Sequence, residues 1–323
     1  MKAAVVTAGG VEVRDVPEPK PAANQVLVKV RAAGLNRADL GMASGHMHGS
    51  AGGAGTVLGL EFSGEVAAVG AEVKNVKVGD RVMASGNGGY AEFALTDWGR
   101  VAPIPANNMS YEQAATLPIA LQTMHNALVT AGRLKAGEAV MIQGASSGVG
   151  LMGLQIAKRK GARLVFGTST NPARRERLKE FGADVAIDTT EKAWADKVLE
   201  ATDKKGVDLI VDQVSASVAN ENMRAAKVLG RIVNVGRLGG FKGEFDFDLH
   251  AMKRIDYIGV TFRTRSVEEV REITRLMRAD LWPDVEAGRL KLPIDKTFPL
   301  ADAAAALAHM RANKHFGKIV LVV

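Results

Sequence analysis

The sequence predicts an α/β chain in which a doubly wound parallel sheet is inserted into a mostly antiparallel β domain. Three observations lead there. The first third breaks into short β-prone runs separated by Gly, Pro and Asp turns. From residue 138 onward, apolar β runs alternate with helix-like segments until six strands have passed. The chain then closes on one more strand, GKIVLVV, which must pair somewhere, and the β domain has the available edges.

In order, KAAVVT, VEVRDV, QVLVKVRAAG, SGEVAAVG, DRVMASG and YAEFAL are the strands of the first domain. A glycine-rich tract, Gly41–Gly59, interrupts them and reads as a mobile loop or lid. Ser110–Val129 is helical and leads into the alternating region. There EAVMIQ is the first strand, and GLMGLQIAKRKG, after a small-residue turn, the first helix. Arg163–Gly167, Asp184–Asp188, Val207–Val214, Gly230–Gly236 and Ile255–Phe262 are the other strands. Helices fall at Asn171–Phe181, with Asn171 as N-cap and Pro172 in the first turn, and at Lys192–Thr202 and Ala216–Leu229. Val267–Ala279 and Asp302–Ala312 are helical again. The domains expected are residues 1–123 with 264–323, and 124–263 between them.

The turn Ala145-Ser146-Ser147-Gly148-Val149-Gly150 is the most informative stretch. Small residues let a backbone approach phosphates, and the N–H groups of a new helix face negative charge, so a dinucleotide pyrophosphate fits there. Ala and Ser stand at the first two glycine positions of the usual G-x-G-x-x-G pattern. The end of the second strand then selects the nucleotide. Sites that prefer NAD place an acid about 20 residues past the turn. Here Thr168 and Ser169 stand in that region, with Arg174, Arg175 and Arg177 following. Hydroxyls and guanidinium groups suit a 2′-phosphate, so NADPH is the expected cofactor, although the arginines also read as an ordinary solvated helix face. By position on the sheet, backbone groups at Val214, at Val235, Gly236 and Arg237, and at Phe262 line the remainder of the nucleotide.

Composition sets limits. The chain has 323 residues, no cysteine, six histidines and a formal charge of +7. Disulfides, thiolate metal sites and a cysteine nucleophile are excluded. Lys and Arg are scattered among many acids, so the charge reads as solubility with some phosphate attraction, and nucleic acid is not the expected partner. No apolar run reaches spanning length, and the first residues lack a signal-peptide core; a cytoplasmic location is the default expectation.

GLNRADL (34–40), LGLEFSGEVAAVG (58–70), VGDRV (78–82), GGYAEF (88–93), AATLPIALQT (114–123), GASSGVG (144–150), GVDLIVD (206–212) and FGKIVL (316–321) together resemble the medium-chain dehydrogenase/reductase superfamily. The likeness covers nearly the whole chain. Within it the chain looks like the zinc-independent quinone oxidoreductase (zeta-crystallin-like) branch and related enoyl reductases. The resemblance implies a GroES-like β domain, a Rossmann domain, NADPH as reductant and a homodimer. It places Asn36 facing the nicotinamide and substrate, and Thr123 near the nicotinamide ribose or carboxamide, as the catalytic candidates. For Asn36 a turn role, and for Thr123 a helix-cap role, remain open. Lys318 is a further cofactor candidate, or a strand lysine facing solvent.

The departures from the zinc-dependent branch carry chemistry. Asn36 stands where those enzymes have Cys, and Leu60 where they have His, so no metal is expected. His46 and His48, close together in the glycine-rich loop, are candidate proton donors or idle loop residues. Without a Lewis acid to hold an alkoxide, the reaction expected is reduction of a quinone or of a C=C bond conjugated to a carbonyl. The alternative is a non-catalytic nucleotide-loaded structural or RNA-binding protein. Tyr90 is expected to be a packed strand residue.

Overall fold

The computed structural model describes every residue except 48 and 50. Two compact units are present, Met1–Ile119 with Phe262–Val323, and Ala120–Thr261.

In the first unit, β1 (Lys2–Thr7) and β2 (Gly10–Asp15) form a hairpin. A larger sheet holds β3 (Gln25–Gly34), β4 (Glu61–Val69), β5 (Arg81–Ser85), β6 (Phe93–Asp97) and β7 (Val101–Pro103). The helices α1 (Arg37–Ala43) and α2 (Tyr111–Ala114) follow β3 and β7. Val26, Val28, Phe62 and Leu321 meet in its core, all fully buried.

The second unit begins with α3 (Pro118–His125), whose first two residues fall on the other side of the division. The expected helix at 110–129 is thus split. Pro118 lacks an N–H and disfavours helix at Leu117, so α2 and α3 are separate, and a π-turn, Asn126–Ala131, ends the segment.

Six parallel strands follow: β8 (Ala139–Ile142), β9 (Leu164–Thr168), β10 (Val185–Ile187), β11 (Val207–Asp212), β12 (Ala226–Asn234) and β13 (Asp256–Gly259). Their order is β10-β9-β8-β11-β12-β13, so the winding reverses between β8 and β11. That is the doubly wound dinucleotide-binding topology, with its ligand crevice at the reversal. Helices α4 (Gly148–Arg159), α5 (Pro172–Glu176), α6 (Ala195–Ala201), α7 (Ala219–Ala225) and α8 (Phe247–Lys253) connect the strands. Met141, Phe166, Ile210 and Ile232 are buried with Trp194, Val198 and Met223 in the core.

Two helical expectations change here. The helix expected at 216–229 stops at Ala225, because Ala226 pairs with Val207 and the chain turns extended there. Sheet pairing overrides local propensity at that point. The helix expected at 171–181 survives only as α5 followed by a 3-10 turn, Arg177–Phe181, closed by Gly182 at φ 104°.

The chain then returns to the first unit. α9 runs from Val267 to Glu286, seven residues past the expected end and through Pro283. A strand the patterning does not mark, β14 (Ile294–Pro299), precedes α10 (Ala303–Arg311) and β15 (Lys318–Val322). IDKTFP is too polar to read as a strand; pairing with β15 makes it one. β15 in turn pairs antiparallel with β3, which closes the discontinuous β domain that the terminal strand requires. Among the described residues, no helix is long and apolar enough to cross a membrane.

Candidate active site

In the second unit, the turn between β8 and α4 lies at the reversal of strand order. Ser147 is the N-cap of α4: its hydroxyl accepts from the Gly150 N–H at 3.0 Å and donates to the Gly144 carbonyl at 3.0 Å. Gly148 and Gly150 are buried, whereas Ser146 and Val149 are partly open. A Cβ on Gly150 would lie 2.6 Å from Ala145 Cα and 2.6 Å from the Gly144 oxygen, so only glycine fits. The result is a tight loop whose backbone can approach a phosphate, at the start of a twelve-residue helix.

A chain of buried side chains fixes that loop. The Gly144 N–H donates to Thr168 Oγ1 at 2.9 Å, and the Thr168 hydroxyl donates to Gln143 Oε1 at 2.7 Å. Gln143 Nε2 donates to Asn222 Oδ1 at 2.6 Å, and Asn222 Nδ2 to Asp212 Oδ2 at 3.0 Å. Asp212 Oδ1 accepts from the N–H groups of Val214 and Ser215 at 2.7 and 2.9 Å. Burial pushes the Asp212 carboxyl up, and these three donors oppose the shift. The network ties together the carboxyl ends of β8, β9 and β11. Thr168 is therefore engaged in holding the turn.

Ser169, at the end of β9, donates from its hydroxyl to Ser146 Oγ at 3.1 Å, which joins the turn to the second strand. Arg174 is half-buried in the first turn of α5, its N–H on the Asn171 cap. Arg175 is the more fixed neighbour: it donates to the Ser169 carbonyl at 2.9 Å and pairs with Asp188 at 2.8 Å. After β12, the Val235 N–H bonds the Asp212 carbonyl at 2.7 Å, and Arg237 donates to the Val235 carbonyl at 3.2 Å. A Cβ on Gly236 would meet the Gln213 oxygen at 2.6 Å, so the loops after β11 and β12 touch backbone to backbone. Ser215 reaches across at φ 69° and donates to the Gly236 carbonyl at 2.5 Å. Thr123 is partly exposed on α3.

In the first unit the structure brings Asn36 and Lys318 together. Lys318 Nζ donates to the Leu35 carbonyl at 2.7 Å, to Asn36 Oδ1 at 3.1 Å and to Glu61 Oε1 at 2.5 Å. Asn36 Nδ2 donates to the same Glu61 oxygen at 2.9 Å and to the Gly34 carbonyl at 3.3 Å. Glu61 Oε2 accepts from the Ile119 N–H at 2.9 Å. An ammonium only donates and a carboxylate only accepts, so the two fix which way the Asn36 amide points. Lys318 is buried, not turned to solvent, and its three protons already have acceptors. Asn36 is also the N-cap of α1, its N–H bonding Asp39 Oδ2 at 2.7 Å.

Asp39 accepts a second bond there from the Tyr90 hydroxyl at 2.5 Å. Burial pushes the Asp39 carboxyl up to about 7 and the Tyr90 phenol well above its usual value. Tyr90 is fully buried, but it lies in the turn before β6 and not on a strand. Glu61, Asp39, Gln143 and Asn222 are members of these clusters that residue reading did not single out. Of these, Glu61 inside LGLEFSGEVAAVG and Asp39 inside GLNRADL carried a signal. Phe262 is half-buried and His46 exposed, while His48 lies outside the described residues.

Zinc does not fit this constellation. Asn36 and Leu60 replace a thiolate and an imidazole, and the Lys318 ammonium lies beside Asn36 and Glu61, where a second cation would be repelled. No group of three or more His, Cys, Asp or Glu residues suited to a metal occurs among the described residues. A nicotinamide dinucleotide fits the second unit, because the Gly150 contact and the Ser147 cap build a phosphate-sized turn.

Residues 22–106 match the alcohol dehydrogenase GroES-like domain, and residues 148–279 the zinc-binding dehydrogenase family. The quinone oxidoreductase of Rattus norvegicus is 31% identical over 322 residues, covering 98% of this chain and 95% of the rat protein. A phenolphthiocerol/phthiocerol polyketide synthase of Mycobacterium tuberculosis is 32% identical over 311 residues. That match takes in 96% of this chain, which spans only 14% of the synthase's length. A mycobacterial protein solved with NADPH superposes over the whole of both chains with a TM-score of 0.89 at 28% identity. The chain belongs to the medium-chain dehydrogenase/reductase family, a class of oxidoreductases. Its full-length relatives include quinone oxidoreductases.

Proposed function

We propose that this protein is an NADPH-dependent reductase of quinones or carbonyl-conjugated C=C bonds, working without zinc as a cytoplasmic homodimer. The observation that carries the reading is the Ser146–Ser169 hydroxyl pair after β9, with Arg175 bonded to the Ser169 carbonyl and Arg174 preceding it in the chain. A 2′-phosphate finds donors there, and the Asp188 carboxylate beside them is engaged by Arg175.

When bound, the reduced nicotinamide supplies a hydride to an electrophilic carbon. The chain's residues do the rest. Backbone groups of Ser146–Gly150 hold the pyrophosphate; Val214, Val235, Gly236, Arg237 and Phe262 line the remainder, with Thr123 at the nicotinamide. Lys318 and Glu61 orient Asn36, whose two amide protons already have acceptors in Glu61 and the Gly34 carbonyl, so it meets the substrate only as an acceptor through Oδ1. Charge developing on the substrate oxygen is met by fixed dipoles and not by a metal. A homodimer fits β13, the last strand of the parallel sheet, which pairs only with β12 among the described residues beside an exposed Phe247.

The test is a substrate panel of benzoquinones and enones with either nucleotide. Turnover is expected with NADPH, and Arg174→Glu should raise the NADPH Michaelis constant at least tenfold more than the NADH one. Equal change in both would refute the 2′-phosphate assignment. No turnover with any acceptor would refute the reductase reading.

A further inference from the structure

A groove on the first unit belongs to neither cluster. α9 presents Arg271, Arg275, Arg278 and Trp282 at spacings of three and four residues, so they share one stripe of the helix. The 3-10 turn Trp98–Arg100 and the start of β7 face that stripe. About 580 Å³ lies between them, within the range that holds a small molecule.

The arginines around this groove are not equivalent. Arg271 grips Asp97 with two bonds, of 2.9 and 2.7 Å, while its guanidinium stacks on Trp98. Arg275 grips Glu272 with two of 2.7 Å. Both charges are matched. Arg278 lies half-buried over the Trp282 ring, 5.1 Å from its centroid, with no hydrogen bond or ion pair to any described residue. Glu286 acts on it only through space. Gly99 and Val101 line the groove while the Arg100 side chain between them does not; its buried Nε has no hydrogen-bond partner, and Asp97 acts on it through space. Glu268 at the rim is exposed.

Desolvation depresses the Arg278 guanidinium, and Glu286 only partly opposes it. A cation partly withdrawn from water gains from a hydrogen-bonded negative partner, and for Arg278 the described chain supplies only the through-space charge of Glu286. Two indoles supply flat apolar walls beside the charge. We propose that the groove binds a small ligand through an oxyanion, phosphate or carboxylate, held by Arg278 between Trp98 and Trp282. The assignment is independent of the nucleotide turn in the other unit.

Calorimetric titration of the full chain tests it, with NADPH present in excess so that the nucleotide turn does not compete. Inorganic pyrophosphate and citrate serve as separate probes. At least one should bind at a single site, weakened tenfold or more by Arg278→Gln, with Arg278→Lys intermediate. Unchanged NADPH affinity in each variant shows that it is folded. Binding of pyrophosphate alone assigns a phosphate ligand, and of citrate alone a carboxylate. Failure of both probes to bind the unmodified chain, or equal binding by Arg278→Gln, overturns the proposal. If NADPH itself does not bind, pyrophosphate at the vacant turn would survive Arg278→Gln, and the two failures stay distinct.

Discussion

Replacing Lys318 with Met is the most searching perturbation of the first unit. The side chains of Lys318 and Glu61 are 4% and 0% exposed, so the pair lies out of water. Methionine matches the stem in length and removes the charge and three hydrogen bonds. Glu61 Oε1 then keeps only the Asn36 amide, and a buried carboxylate stands without its counter-charge. Removing one member of such a pair costs about 3–5 kcal/mol. At about 2–4 °C per kcal/mol for a domain of this order of size, the melting temperature of the first unit should fall by roughly 6–20 °C. Adding Glu61→Gln removes the stranded charge, and more than half of the loss should return. Thermal and guanidinium unfolding, followed through Trp98 and Trp282 in that unit, reads both effects. A loss below about 1 kcal/mol for Lys318→Met would sink the argument. So would a double variant no more stable than the single one.

Other outcomes are as specific. Asp39 at about 7 lies above its usual 3.8, so between those values the native chain holds a proton that the unfolded chain has lost. Stability from this group is complete below pH about 4 and falls as pH rises toward 7, by up to about 1.4 kcal/mol per unit. Asp39→Asn keeps an acceptor for Tyr90 and should flatten that part of the urea-midpoint profile; parallel profiles would contradict the buried-acid account. Gly150→Ala sets a Cβ 2.6 Å from Ala145 Cα and should cost about 1–3 kcal/mol while weakening NADPH at least tenfold. Unaltered nucleotide affinity would show that the turn is not the cradle. Activity should survive exhaustive chelation with no stoichiometric zinc in the protein, and loss restored by zinc would overturn the metal-free mechanism.

What residue order determines here is local or periodic. Alternating apolar runs mark QVLVKVRAAG as a strand with its observed bounds, Gln25–Gly34. Small residues after EAVMIQ mark a turn that must admit a backbone close to a ligand, and Asn171-Pro172 marks the start of α5. Those signals act over a few residues, so they survive without knowledge of neighbours. Polar IDKTFP becomes a strand only because β15 lies beside it, and Ala226 leaves its helix because Val207 offers hydrogen bonds.

The polar clusters are still less local. Lys318 meets Glu61 across 257 positions of chain, and Gln143 meets Asn222 across 79. No propensity or spacing encodes such a meeting. A buried charge or amide takes whichever partner the packed elements bring within about 3 Å, because desolvation leaves it no water to bond instead. The sequence alone determined that a small-residue turn follows the first strand of the parallel sheet and that the β domain carries no cysteine. Tertiary packing decided that Lys318 is a buried partner of Glu61 and that Arg175 is the arginine pinned beside Ser169, since burial and contact exist only once the chain is folded.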